Sequence, residues 1–218
     1  MITFESIRRD EEVRVLIEAG NAAVGVLGYT EHGFAHAELS ALTAGRILET
    51  LGFDGRLCEL ARIAGYMHDI GNTVNRTDHA LSGALLAFDL LKARGMDIRE
   101  AMAVMTAIGN HDEGTANPVT PLCAALILAD KSDVRRSRVR AEAPRSDIHD
   151  RVNFAVEDSA LEIRPSDGII TLRLRVDTTS CAVMDYFEIF LNRMILCRSA
   201  AEFLKMSFEL IINETRML

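Results

Sequence analysis

The first two thirds of the chain repeat apolar residues at the three- and four-residue spacing of amphipathic helices. Val13, Ile17 and Val24, for example, come near one face of a helix that would begin at Glu11. The spacing predicts helices over 11–27, 36–51, 57–70, 78–93, 98–108 and from 122 to about 140. No proline interrupts these segments, so this part of the chain is predicted to be all-α.

Two details of these helices give positional predictions. Thr77 is a natural N-cap for the fourth helix, because a threonine side chain can accept a hydrogen bond from a first-turn amide. The sixth helix is predicted to continue through a basic stretch. That continuation would place Lys131, Arg135 and Arg138 on one helical face.

The last third of the chain changes to an alternation of apolar and polar positions. Leu161–Ile163 and Ile170–Val176 alternate on either side of the turn-forming stretch Pro165–Gly168, which predicts a β-hairpin. A long apolar helix is expected over Ala182–Leu204, and a closing strand is expected over residues 208–212.

We therefore expect a mainly α protein in two parts, a helical bundle over residues 1–150 and a small α+β extension over residues 151–218. A sheet of two or three strands needs another surface to cover its apolar face. The helical part or a second subunit could supply that surface. The extension is accordingly predicted to act as a dimerisation or lid element, and a homodimer is expected.

Composition and charge narrow the classes of function. The 24 basic and 32 acidic residues give a net charge of −8, which disfavours nucleic acid as a partner. The longest apolar run, Leu122–Ala129, is too short to span a membrane. The four cysteines are scattered and form no CxxC pair, as is typical of a reducing compartment. A cytoplasmic protein is expected.

Two features point to a metal. His68 and Asp69 stand at the end of a predicted helix, where the partial negative charge of the helix terminus favours a cation. Asp130 follows an apolar run, and a buried carboxylate there needs a positive partner. A surface ion pair for the first and a core arginine for the second are the alternatives.

Three further histidines lie near helix ends: His36, His79 and His111. Each alone is more simply a capping or half-buried histidine. Together with His68, Asp69 and Asp130 they would let several helices converge on one polar pocket.

The chain resembles the HD-domain superfamily of metal-dependent phosphohydrolases in the order His36, His68-Asp69 and Asp130. The stretch Met67-His68-Asp69-Ile70-Gly71 stands at the centre of this likeness, and Ile127–Lys131 is similar to the aspartate-bearing helix of the family. The resemblance covers about residues 30–140 and implies the helical bundle of that family.

The resemblance also implies roles. Four residues would hold a first metal ion: His36, His68, Asp69 and Asp130. His79 and His111 match the additional histidines of two-metal members, in which the aspartate of the dyad, here Asp69, bridges both ions. His68, Asp69 and His111 would be the catalytic residues, and a metal-activated water would attack phosphorus. Two divalent ions per chain are expected, with Fe or Mn favoured and Mg, Co, Ni or Zn also accepted by such ligands.

Substrate binding is assigned to Lys131 and Arg135, which follow Asp130. They belong to the main basic cluster of the chain: Lys131, Arg135, Arg136, Arg138, Arg140 and Arg145. As a whole this cluster is interpreted as a solvated basic face or an electrostatic contact for the acidic tail.

The expected substrate is a phosphomonoester or phosphoanhydride, with a nucleotide as the favoured class. Asn72 stands where the cyclic-dinucleotide phosphodiesterases of the family have a lysine, and their Gly-Tyr-Pro signature does not follow His111. The segments around His79, His111 and Asp130 are loosely similar to bacterial symmetrical dinucleoside-tetraphosphate hydrolases. A di-iron oxygenase on the same six ligands and a non-catalytic signalling module are the alternatives.

Overall fold

The computed structural model describes residues 1–140 and 148–218. Within these residues the chain forms α1 (Phe4–Arg8), α2 (Glu11–Val26), α3 (Phe34–Thr50), α4 (Gly55–Met67), α5 (His79–Ala93), α6 (Ile98–Gly109), α7 (Pro121–Lys131), α8 (Ile148–Ala155) and α9 (Val183–Phe203). Its strands are β1 (Val156–Arg164), β2 (Ile169–Val176), β3 (Ser207–Ile212) and β4 (Thr215–Arg216). The predicted fold class, a helical bundle with a small C-terminal α+β extension, is confirmed.

Side-chain caps fix where several of these helices begin. The side chains of Asp10, Asp54, Asp97 and Thr120 accept hydrogen bonds from first-turn amides of α2, α4, α6 and α7. Such a cap stabilises a helix by about 0.5–2 kcal/mol, because the first-turn amides have no partner within the helix. The polar cap therefore sets the start, and the apolar spacing sets which face is buried.

Two positional predictions about the helices are wrong. Thr77 is not the cap of α5; Asp78 takes that position in a left-handed conformation, with φ 58°, and makes no side-chain cap. Helix α7 ends at Lys131, and residues 136–138 form a separate 3-10 turn. Lys131, Arg135 and Arg138 therefore share no helical face. Beyond the end of the helix the Asp133 side chain turns inward, and this residue is 2 % exposed.

Two glycines let the helices approach closely. A Cβ on Gly65 of α4 would come within 2.6 Å of the Ala41 Cα in α3. A Cβ on Gly71, in the 3-10 turn after α4, would overlap the carbonyl oxygen of His79 and the amide nitrogen of Gly83 in α5. The glycine after the His68-Asp69 pair therefore permits the contact that brings α5 to this end of the bundle.

The extension is a four-stranded sheet crossed by one helix. Strand β1 pairs with β2 in the predicted antiparallel hairpin, and its turn closes at Gly168 with φ 68°. Helix α9 then crosses over so that β3 lies parallel to β2, and β4 pairs antiparallel with β3. The predicted hairpin, long helix and closing strand are confirmed.

Helix α9 packs against both α7 and β3, so this helix joins the sheet of the extension to the helical bundle. Tyr186, Phe190, Met194 and Cys197 of α9 are buried in this contact region. The boundary near residue 150 stays a prediction, and α8 spans it. The homodimer also stays a prediction. Among the described residues, no helix is long and apolar enough to cross a membrane.

Candidate metal centre

The six predicted metal ligands meet at one end of the bundle. His36 lies in the first turn of α3, and His68 directly follows α4 with Asp69 next to it. His79 opens α5, and Asp130 lies in the last turn of α7. His111 follows α6 after one residue. All six side chains are buried, although they come from five separate segments.

One group of ligand atoms joins His36, His68 and Asp130. The Nε2 atom of His36 lies 3.2 Å from the Oδ1 atom of Asp130 and 3.2 Å from the Nε2 atom of His68. The Nε2 atom of His68 lies 3.7 Å from the same Asp130 oxygen. One ligand atom from each residue falls within 4.8 Å of the others, which is close enough for a single ion.

A second group joins His68, Asp69 and His111, again within 4.8 Å. The Oδ2 atom of Asp69 lies 3.2 Å from the Nε2 atom of His68, and its Oδ1 atom lies 3.3 Å from the Nε2 atom of His79. The two oxygens of Asp69 thus face different histidines. Asp69 therefore lies between His68 and His79.

The outer nitrogen of each histidine is held by a hydrogen bond. The Nδ1 atoms of His68, His79 and His111 lie 2.8, 3.1 and 2.6 Å from the carbonyl oxygens of Gly65, Arg76 and Ile108. The Nδ1 atom of His36 lies 2.8 Å from Oδ2 of Asp133. A carbonyl can only accept, so Nδ1 carries the proton and the Nε2 lone pair points inward as a ligand.

This arrangement fits divalent metal ions. The Oδ2 atom of Asp69 is buried and has no hydrogen-bond partner among the described residues. Buried carboxylate oxygens without a partner are costly, and a cation satisfies them. The neighbouring Nε2 atoms of His36 and His68 are two acceptors that face each other, which a cation also relieves. Mixed imidazole and carboxylate ligands suit Fe, Mn, Zn and similar ions.

The electrostatics also favour positive charge at this position. Burial opposes ionisation, but nearby positive groups hold the pKa values of the Asp69 and Asp130 carboxyls well below their usual range. Burial likewise opposes charge on His68, yet these two carboxylates raise the pKa of His68 to about 10. The two buried carboxylates are therefore stabilised by a positive charge, which is either a proton on His68 or a metal ion.

Two residues that sequence reasoning did not assign to the site support its ligands. Asp133 orients His36 and is in turn bound by the Nε atom of Arg135 at 2.6 Å. The side-chain amide of Asn72 donates to Oδ1 of Asp69 at 3.0 Å. Asp133 stands three residues after Asp130 within a basic stretch. That spacing in the sequence is the signal that could have identified it.

A cavity of about 390 Å³ opens onto the centre. Its wall includes four cationic side chains: Arg76, Lys131, Arg138 and Arg193. Lys131 lies on this wall, where its Nζ atom is 2.7 Å from Oδ2 of Asp130 and 3.5 Å from Oε1 of Glu113. Arg135 is not part of the wall, because its guanidinium is bound to Asp133. Its position favours support of Asp133 over contact with substrate.

Among the described residues, the rest of the predicted basic cluster donates mainly to backbone carbonyls, and Arg136 also lies 3.9 Å from Glu157 of the extension, as expected of a contact with the acidic tail. Arg136 donates to the carbonyl of Phe154. Arg138 donates to the carbonyls of Glu31 and Asp133, and Arg140 donates to those of Tyr29 and Asn21. Arg138 and Arg140 thereby fasten the segment after α7 to the loop before α3. Arg145 lies outside the described residues.

Comparisons with known proteins agree with this geometry. The family model of the HD domain matches residues 33–135, which contain all six ligands. The chain is also 27% identical over 189 residues to the uncharacterized protein MJ1020 of Methanocaldococcus jannaschii, a match that covers 75% of this chain and 71% of that protein. Residues 33–135, which hold the buried His-Asp centre, are therefore similar to the HD domain, and this likeness supports the HD superfamily of metal-dependent phosphohydrolases.

Proposed function

We propose that the protein hydrolyses a phosphomonoester or phosphoanhydride, with a nucleotide as substrate, at a centre of two divalent metal ions. The position of Asp69 carries this proposal. Its two carboxylate oxygens face different histidines, and the buried Oδ2 atom has no hydrogen-bond partner among the described residues. A carboxylate in this position suits a bridge between two cations.

The residues divide between the two ions. His36, His68 and Asp130 would hold one ion, and His79 and His111 would hold the other, with Asp69 shared. Divalent ions at such a site supply Lewis-acid activation of water and of the phosphoryl group. Burial, together with the charges of His68 and Lys131, lowers the pKa of His111 well below its usual value. His111 therefore stays neutral near pH 7 and keeps its Nε2 lone pair.

The cavity offers complementary features for a nucleotide. Its cationic side chains offset the charge of a phosphate group, and its volume suits a small ligand. Leu27 and Tyr29 also line it, and they are 62% and 46% exposed. Exposed apolar and aromatic side chains beside a cationic wall suit the flat, weakly polar surface of a base.

The test is a turnover assay on nucleoside mono-, di- and triphosphates and simple phosphate esters, with iron or manganese supplied. Phosphate release by the wild type is expected. The Asp69→Ala variant should lose both bound metal and turnover, with helix content by circular dichroism unchanged. Asp89→Ala, an exposed carboxylate on α5, is the matched control and should keep both.

Two results would contradict the proposal. The first is full turnover and metal content in the Asp69→Ala variant. The second is oxygen uptake with a diol or polyol in an iron-loaded protein that releases no phosphate from any compound. The second result would assign the same ligands to di-iron oxygenase chemistry.

A further inference from the structure

Helix α9 brings a charged side chain of the extension to the metal centre. Arg193 and Phe190 lie one turn apart on this helix, and both line the cavity that opens onto the six ligands. Both residues lie outside residues 33–135, the range of the HD-domain match. The extension therefore supplies part of the wall that a substrate would meet.

Two contacts hold the Arg193 guanidinium in place. Its Nε atom donates to Oε1 of Glu113 at 2.7 Å, and its central carbon lies 4.5 Å from the centre of the Phe190 ring. Glu113 thus holds one edge of the guanidinium and Phe190 covers one face. The Nη1 and Nη2 atoms donate to no residue in the described parts of the chain, and the side chain is 22% exposed.

Lys131 and Arg138, which line the same cavity, are more fully engaged. The Nζ atom of Lys131 lies between the carboxylates of Asp130 and Glu113. Arg138 donates through Nε and Nη1 to two backbone carbonyls. At Arg193, by contrast with these two residues, a single carboxylate oxygen binds the inner nitrogen, and neither outer nitrogen donates to a residue within 1–140 or 148–218.

We propose that Arg193 is an anion-binding residue of this cavity, whose Nη1 and Nη2 atoms donate to two oxygens of a substrate phosphate. A guanidinium presents parallel donors at the spacing of phosphate oxygens, which gives two charge-assisted hydrogen bonds. Glu113 and Phe190 are positioning residues that hold the fork toward the cavity. This inference rests on the proposed function, since it assigns a group that would bind the substrate of that reaction.

Glu113 also connects Arg193 to the metal centre. Its Oε1 atom accepts from Arg193 and lies 3.5 Å from the Lys131 Nζ atom, which lies 2.7 Å from Oδ2 of Asp130. These contacts keep the guanidinium in place beside the metal centre.

The test is a calorimetric titration of inorganic phosphate into the purified full-length protein. Arg193→Gln should weaken phosphate binding roughly ten- to a hundredfold, because it removes the positive charge and keeps only a neutral amide donor for the phosphate. Arg193→Lys keeps the charge but lacks the fork, so it should bind with intermediate affinity. Arg198→Gln is the matched control, since Arg198 is exposed on the same helix, and it should bind like the wild type.

The same variants separate a binding role from a structural one. Arg193→Gln should raise KM for a hydrolysed nucleotide more than it lowers kcat, and its metal content should equal that of the wild type. Circular dichroism and a thermal melt check folding. If Arg193→Gln does not fold, Arg193→Lys decides, and it should still bind phosphate more weakly than Arg198→Gln.

The outcomes keep this inference distinct from the proposed function. Phosphate binding and KM in Arg193→Gln equal to those in Arg198→Gln would overturn the inference and leave the hydrolase in place. A wild type that binds no phosphate would also overturn it. Binding that depends on Arg193, in a protein that hydrolyses no phosphate compound, would support the anion site and reject the proposed function.

Discussion

The metal centre and the wall supplied by α9 are oriented in different ways. At the centre, His68, His79 and His111 are each held by a backbone carbonyl three residues earlier in the chain. On the wall, Arg193 is held by Glu113, which is 80 residues away in sequence. The ligands are therefore oriented by their own segments, whereas the anion-binding group depends on how the extension packs against the bundle.

This difference indicates which parts of the site can vary independently. Local hydrogen bonds keep a ligand aimed inward as long as its own helix end forms. A contact between distant segments is set only when the whole fold is assembled, so a change in the extension can alter substrate binding without changing the ligands. We expect variants to divide accordingly into those that change metal affinity and those that change anion affinity.

The largest effect is expected at Asp133, which orients a metal ligand but lies in a distant segment. His36 is oriented by Asp133, 97 residues away, so one metal ligand also depends on a distant contact. Asp133→Asn should lower metal affinity about 10- to 100-fold, as is typical when the residue that orients a metal ligand is changed. Competition with a chelator measures this. Asp158→Asn, exposed on β1, should leave the affinity unchanged, and equal affinities in both variants would remove Asp133 from the site.

A smaller effect is expected at the glycine that lets α5 approach the dyad. Gly71→Ala should destabilise the protein by roughly 1–3 kcal/mol, because its Cβ would overlap backbone atoms of α5. Gly55→Ala is the control; no atom lies within 4 Å of its Cβ, and it should be stabilising by about 0.4–1 kcal/mol. Urea unfolding measures both. Equal stabilities would mean that the close contact does not set the position of α5.

The smallest effect is expected at a distant ion pair outside both regions, between Asp10 of the α2 cap and Arg94 after α5. The hydrogen bond from Arg94 lowers the pKa of Asp10 despite partial burial. The contribution of this pair is therefore present above the usual pKa of an aspartate and is lost as pH falls through the lowered value. Asp10→Asn should cost about 0.2–1 kcal/mol at pH 7.

The pH dependence of the unfolding free energy tests whether the Asp10–Arg94 pair acts through charge. The difference in unfolding free energy between Asp10→Asn and the wild type should shrink as pH falls below the Asp10 pKa, where both side chains are uncharged. Asp89→Asn should show no such trend. A difference that stays constant with pH would mean that the pair stabilises through packing and not through charge.

Much of the fold and of the metal site can be predicted from the sequence, because these features depend on short patterns within single segments. The helical spacing and the hairpin signal describe single segments, and the six ligands stand at helix ends that a short motif specifies. The contact of Asp133 with His36 joins distant segments, so no local pattern in the sequence predicts it. The predicted helix through about residue 140 includes Asp133, whereas α7 ends at Lys131 and Asp133 is buried and bound by Arg135.

The position of Arg193 in the site is not predicted from the sequence, for the same reason. A lone arginine in the apolar stretch of α9 signals a buried charge, but nothing local identifies its partner as Glu113. Substrate binding by Lys131 and Arg135 stays a prediction. Lys131 lies between two carboxylates and Arg135 is bound to Asp133, and closeness to Asp130 in sequence indicates neither contact.

The metal content per chain distinguishes a centre of two metal ions from a centre of one. Elemental analysis of the protein purified without added metal should find two ions per chain in the wild type. A double variant, His79→Ala with His111→Ala, should retain one ion, held by His36, His68, Asp69 and Asp130. One ion per chain in the wild type, unchanged in the double variant, would contradict a two-metal centre bridged by Asp69.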